Sequence, residues 1–289
     1  VGGDVTAGLA ALARPGAAPR APWLLADLGT NGEFALTLPD STVLVASVPM
    51  QPDHSPGYSG GQVGGMAQRT DGTVFVGTDT GVHAFTPQRR WLARYAAGLG
   101  RARRLLATQD GAVWVGSQDG VHRLAPGGRS FERLTLADGS PLNGNINALA
   151  EARDGGLWVG GNAGLYRVAP GAAVLDRVVS PPGAGLRKQV VLGLLLDRQG
   201  RLWVDTNAGL HQAVAQRGAE LSFSHVGDQD GGSVGANLMD DAQGRIWTHQ
   251  VVYDPASGRL QRLGEPDGVD IGTGWYRSHA ARPDGRLLF

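Results

Sequence analysis

Residues 145–170 read NINALAEARDGGLWVGGNAGLYRVAP. The largely apolar run Ile146-Asn-Ala-Leu-Ala150 leads to Asp154-Gly155, and Leu157-Trp158-Val159 follows. Asp-Gly between two apolar runs favours the positive φ angles of a tight type I′ hairpin, so two strands are expected to meet there. Asn162-Ala163-Gly164 then predicts a second turn, into Leu165-Tyr166-Arg167-Val168. Leu-Trp-Val is apolar at successive positions, as in a strand covered on both faces.

The unit recurs at Asp71-GTVFVGTDTGVHAF, Asp110-GAVWVGSQDGVHRL and Gln199-GRLWVDTNAGLHQA. A weaker Gln243-GRIWTHQVVYD and a short Asp284-GRLLF come last. The turn glycines Gly72, Gly111, Gly155, Gly200, Gly244 and Gly285 lie 39, 44, 45, 44 and 41 residues apart. That period, with a fourth, more polar strand such as Phe131-Glu-Arg-Leu-Thr, predicts an all-β fold, a β-propeller of four-stranded blades. About six to seven units are expected, with ring closure open because Phe289 falls within the second strand of its unit. Trp114, Trp158, Trp203 and Trp247 share one repeat position and are expected to pack between blades. His83, His122 and His211 share another, which suits a structural role.

Composition limits the functions to consider. The chain has 289 residues, 42% of them hydrophobic, enough to bury a substantial core. Basic and acidic residues number 26 each, so no global field draws it to nucleic acid. Cysteine is absent, which removes thiolate nucleophiles and zinc-thiolate sites. The start, Val1-Gly-Gly-Asp, has neither an initiator Met nor a signal peptide, and the chain reads as a fragment.

The repeats resemble the two-component regulator propeller family, whose units look like Asp-Gly-x-Leu-Trp-x-Gly-Thr-x-x-Gly-Leu-x-x-Tyr. The likeness covers about residues 60–289 and is closest over 145–170. It implies a periplasmic ligand-sensing input module of a bacterial two-component or diguanylate cyclase protein, often with carbohydrate-like ligands. It also implies signalling output domains outside this chain, leaves room for a dimer, and suggests no catalysis and no cofactor. Streptogramin B lyases also use Trp-rich propellers, so a lyase is the alternative, beside a non-catalytic interaction scaffold.

Residues 1–50 break the pattern, and a helix is expected over Asp4 to Arg14. Gly2-GDVTAGLAAL and Leu24-LADLGTNGEFAL resemble a fragment of the actin-like ATPase domain of corrinoid iron-sulfur protein reductive activators. That likeness would place Asp27, Gly29 and Thr30 in a phosphate-gripping hairpin. Alternatively the segment is another blade, since Gly32 lies 40 residues before Gly72, or a fused piece. Strands are expected near 23–28, 33–38 and 42–48.

Known catalytic patterns do not fit their context. Gly57-Tyr-Ser-Gly-Gly matches the GxSxG nucleophile elbow, but it sits in a loop before a strand. Asp228-Gln-Asp-Gly-Gly-Ser begins like a calcium loop, yet Met239 stands where the bidentate Glu belongs. No acid occurs from Thr80 to Gln109, where Arg101, Arg103 and Arg104 fall on the connection into the next inner strand. Repeated positions explain folding, so binding is expected in the loops that differ between repeats. Tyr58, Arg103, Asn145, Lys188, Trp275, Tyr276 and Arg277 are the expected ligand contacts. Aromatic, amide and cationic groups around a mouth suit a polar small molecule or oligosaccharide. No metal site is indicated.

Overall fold

The computed structural model describes residues 23–27, 33–37, 43–47, 64–86, 91–95, 98–186, 190–217, 220–226, 234–235, 237–248, 250–267, 280–281 and 287–288. It divides into two compact units, Val1–Arg103 and Arg104–Phe289. In the first, β1 (Trp23–Asp27), β2 (Glu33–Thr37) and β3 (Val43–Ser47) form a three-stranded antiparallel meander. All three strands lie where the sequence predicts them. The expected helix over residues 4–14 lies outside the described residues. A four-stranded sheet follows, of β4 (Gly65–Gln68), β5 (Val74–Thr78), β6 (Gly81–Phe85) and β7 (Trp91–Tyr95).

The second unit repeats that sheet. Its first blade is β8 (Arg104–Ala107), β9 (Val113–Ser117), β10 (Gly120–Leu124) and β11 (Glu132–Arg133). The strand β12 (Thr135–Leu136) joins the next blade, β13 (Ile146–Glu151), β14 (Leu157–Gly161), β15 (Gly164–Val168) and β16 (Val174–Arg177). Then come β17 (Val191–Leu196), β18 (Leu202–Thr206), β19 (Gly209–Arg217) and β20 (Glu220–Val226). A blade with short inner strands follows, β21 (Met239–Asp240), β22 (Ile246–Trp247), β23 (Val251–Asp254) and β24 (Arg259–Arg262). A 3-10 turn at Glu265–Asp267 and the pair β25 (Ala280–Ala281) and β26 (Leu287–Leu288) complete the described elements. The fold is an all-β propeller.

The Asp-Gly turns differ from the type I′ expectation. Gly111 N–H donates to Thr108 O at 2.8 Å, and Thr108 N–H donates to Ala112 O at 3.0 Å. Gly155 repeats this with Ala152, and Gly200 with Asp197. This is a wider hairpin, closed by a turn ending in a left-handed glycine, with φ of 84° at Gly111. An aspartate braces each turn from one of two positions: the Asp110 carboxylate accepts the Ala112 N–H at 2.9 Å and Asp154 that of Gly156, whereas at Gln199-Gly200 it is Asp197 that accepts the Arg201 N–H, at 2.7 Å.

The expected outer strand over 131–135 is also split. Glu132 and Arg133 pair with β10, whereas Leu134 buries its side chain in the core. Thr135 and Leu136 then pair in parallel with Val174 and Leu175 of the next blade. The Leu134 N–H still donates to Val121 O of β10 at 2.9 Å, and the crossing segment beyond it covers an edge otherwise open to other strands. The following connection does the same, with Val179 bridging to Glu220 in parallel.

The core lies between blades, as predicted. Trp203 is fully buried, and Trp114 and Trp158 nearly so. Trp247 is half-buried, an exception in the blade with short inner strands. An arginine covers each ring: Arg123 over Trp114, Arg167 over Trp158, Arg201 over Trp203 and Arg245 over Trp247, at 4.8–5.3 Å. Each arginine also pairs with an aspartate, respectively Asp110, Asp154, Asp197 and Asp241. In the first two the arginine comes from the third strand. In the last two it follows the turn glycine directly.

Candidate functional site

In the blade β13–β16, the connection from the previous blade arrives beside the β14–β15 turn, where Asn162 N–H donates to Asn145 O at 3.0 Å. Close approach of this kind requires glycine nearby, since a Cβ on Gly161 would lie 2.5 Å from that carbonyl oxygen.

Just inside this end, the register of β13 on β14 shifts between Ile146 and Ala148, leaving Asn147 as a bulge. A bulge re-aims its side chain. Asn147 Nδ2 donates to Val191 O of the next inner strand at 2.9 Å, and to Asn162 Oδ1 at 3.1 Å. Arg104 Nε of the preceding inner strand donates to Asn147 O at 2.5 Å. One asparagine thus ties three successive inner strands together. Because Val191 O can only accept, it fixes which end of the Asn147 amide is nitrogen, and Asn162 is oriented in turn.

The arrangement is particular to this blade among the described repeats. Counting eight residues back from Gly72, Gly111, Gly155 and Gly200 gives Gly64, Arg103, Asn147 and Leu192. Seven residues forward gives Asp79, Gln118, Asn162 and Asn207. The next blade therefore keeps the turn amide but has an apolar bulge residue, its register shifting between Val191 and Gly193.

Of the sequence-predicted contacts, Asn145 is half-buried and serves through its backbone carbonyl. Arg103 is half-buried at the end of the first unit. Tyr58, Lys188, Trp275, Tyr276 and Arg277 lie outside the described residues, as do the GxSxG and Asp228 motifs. Arg101, expected to be a loop cation open to a ligand, is held by Asp79 at 2.7 Å. Arg104 is not on the connection but opens β8. Asn147 and Asn162 are not among the residues that the sequence singles out. The signal that finds them is a comparison of repeats at the two positions above.

The histidines serve the scaffold. His83, His122 and His211 are all buried. Burial, followed by the nearby Arg94 charge, holds His83 below the usual histidine value. A nitrogen of His211 lies 3.0 Å from Gly209 O, and one of His225 lies 2.9 Å from Ala208 O, with the two rings edge to face. Among the described residues, no group of three or more His, Asp or Glu side chains converges as a metal site. No helix among them is long and apolar enough to cross a membrane.

Residues 140–163, which include the Asn147 bulge and its partner Asn162, match the two component regulator propeller family. No curated protein matches the chain. Among solved structures, one described as the extracellular domain of a hybrid two component system from B. thetaiotaomicron is similar at 14% identity and a TM-score of 0.67. The match covers 91% of this chain and 37% of that one. A second, described as the extracellular domain of a one component system from the same organism, is 20% identical with a TM-score of 0.53, covering 76% and 32%. The chain thus spans about a third of the length of these two proteins. A catalytically inactive virginiamycin B lyase from Staphylococcus aureus, with quinupristin, is 11% identical with a TM-score of 0.61, covering 87% and 85%. These likenesses show the propeller fold.

Proposed function

We propose that the chain is the ligand-sensing propeller portion of a bacterial signalling protein, lying outside the cytoplasmic membrane and binding a polar small molecule on the face that carries the variable loops. The family match over residues 140–163 carries this reading. The site supports it independently, because a strand bulge and three inner strands are used to hold one polar side chain at that face. Binding rather than catalysis is favoured because the described histidines are buried or set against backbone carbonyls.

Thermal-shift screening of the purified chain against a broad library of polar small molecules tests the reading. A saturable rise in Tm with at least one compound supports it. Conversion of a compound into a new product by the chain, without stabilisation, would instead indicate an enzyme of the lyase kind.

A further inference from the structure

We propose that Asn143-Gly144 is a site of spontaneous deamidation, whose isoaspartyl product lengthens the connection that carries the Asn145 carbonyl to Asn162. Asn143 is exposed, between the buried Leu142 and the half-buried Gly144 and Asn145. Gly144 lies at a φ of 102°, and it has no Cβ to hinder the approach of the Asn143 side chain to its nitrogen. Among the described residues, neither the Asn143 carboxamide nor the Gly144 N–H has a hydrogen-bond partner. That open N–H sets the pair apart from the Asp-Gly turns. The N–H groups of Gly72, Gly111, Gly139 and Gly155 each donate to the carbonyl three residues back, at 2.8–2.9 Å. Their side chains are also carboxylates, ionised at neutral pH and therefore poor electrophiles, and Asp138 is held further below the usual value by the Ser140 hydroxyl and N–H. Asn145, Asn147 and Asn162 precede Ile146, Ala148 and Ala163, whose side chains crowd the same approach.

The chemistry needs only water and hydroxide. Hydroxide takes the proton from the Gly144 nitrogen, which attacks Asn143 Cγ. The new N–Cγ bond closes a succinimide as the Cγ–Nδ2 bond breaks, and Nδ2 takes up a proton and leaves as ammonia. Water then opens the ring at either carbonyl. Cleavage of N–Cγ gives aspartate with the original backbone. Cleavage between the nitrogen and the main-chain carbonyl carbon of Asn143 instead routes the chain through Cγ, giving isoaspartate and one extra backbone methylene. Both products place a carboxylate two residues before Asn145, whose carbonyl accepts the Asn162 N–H at 3.0 Å. The buried Leu142 and Ile146 hold the segment on either side, so the added length falls on that hydrogen bond.

The test incubates the whole folded chain in mildly alkaline heavy-oxygen water at physiological temperature. Fragmentation mass spectrometry then reads the tryptic peptide of residues 134–153, with the free synthetic peptide treated alongside. The expected result is that Asn143 loses its amide nitrogen and gains a single labelled oxygen, as isoaspartate in excess of aspartate, while Asp138, Asn145 and Asn147 stay unlabelled. Asn143→Gln should lose the modification with Tm unchanged, because its longer side chain would have to close a larger, slower-forming ring. In the isoaspartyl fraction, hydrogen exchange at the Asn162 N–H should speed up as its acceptor is displaced. Labelling of the free peptide but not of the folded chain would overturn the site, as would labelling first at Asp138, Asn145 or Asn147. Unchanged exchange at Asn162 in the isoaspartyl fraction would overturn its link to the anchor. Each of these outcomes leaves the ligand-sensing reading where it stands, since the reaction requires no ligand.

Discussion

The Asp205 carboxylate accepts the backbone N–H of Val234 at 3.1 Å, inside a core formed by Trp203, Leu210, Leu238 and Ile246. Asp205 is fully buried where the two preceding blades have Gly116 and Gly160. Those glycines face Ile146 and Val191, whereas the equivalent position of the next inner strand is Gly235, beside the Val234 that Asp205 holds. Knob and hole have exchanged sides, and the knob has become polar. Thr248 Oγ1 donates to the carbonyl of the same Val234, so this residue is clasped from both blades. Asp205→Ala should cost about 1–3 kcal/mol, because a buried N–H loses its acceptor. Urea unfolding gives the magnitude, and hydrogen exchange at Val234 gives the location. Unchanged protection of that amide would show that the clasp does not hold it.

Where the apolar interlock is kept, space is the controlling quantity. A Cβ on Gly160 would fall 2.3 Å from Val191 Cγ1, and the backbone on either side is fixed in strand pairing. Gly160→Ala should destabilise by about 1–3 kcal/mol through overpacking. Truncating the opposing side chain opens that space, so Val191→Ala combined with Gly160→Ala should cost less than the two single changes added together. A double-mutant cycle measured by denaturant unfolding checks the coupling. Strict additivity would mean that the two residues do not compete for one volume.

These contacts mark the boundary of what the sequence discloses. Period and turn chemistry predict the blades, because Gly155 and Trp158 act through local backbone preference and burial pattern. The turn type is misjudged because the preference of Asp-Gly for type I′ yields to an aspartate that accepts the N–H two residues ahead. The split outer strand is missed because Leu134 answers to a core assembled from two blades, which no local pattern expresses. Asn147 escapes for a related reason. A bulge is a mismatch between two strands, so it belongs to neither strand's sequence alone. By contrast, Arg101 stands out as a charge and proves to be held by Asp79.

Acid should weaken the fold through its turn aspartates. Burial pushes Asp241 up, but the Trp247 indole N–H, the Arg245 backbone N–H and the Arg245 guanidinium outweigh it, and the net value is below the ordinary 3.8. Asp110 is lowered likewise, with burial opposed by the Thr108 hydroxyl, the Ala112 N–H and Arg123. A carboxyl depressed in the folded state contributes stability that is fully present above its unfolded value and is lost as pH falls through its folded one. Stability should therefore hold from pH 7 to about 4 as far as these groups are concerned, then decline. Asp241→Asn should be less stable than the parent at pH 7, with the gap narrowing below about pH 4 as the parent carboxyl takes up its proton. Urea midpoints across that range decide it, and a gap that widens in acid would reverse the sign.

The two arginine arrangements imply that equivalent tryptophans do unequal work. Trp203 Nε1 donates to Asp197 Oδ2 at 2.8 Å, and that buried carboxylate also takes Arg201 Nε at 2.6 Å and the Arg201 N–H at 2.7 Å. Trp158 occupies the same repeat position under Arg167, but its aspartate is the exposed turn residue Asp154. Replacing either indole by phenylalanine removes similar apolar area, so that loss nearly cancels in a comparison of the two variants. Trp203→Phe additionally takes a donor from a buried carboxylate, which is the costlier change because its lone pair cannot turn to water instead. Trp203→Phe should therefore cost about 1–2 kcal/mol more than Trp158→Phe. The excess should shrink when Asp197→Asn is introduced in both parent and variant, because a neutral acceptor has less to lose. Equal costs for the two tryptophans would place their contribution in ring packing alone.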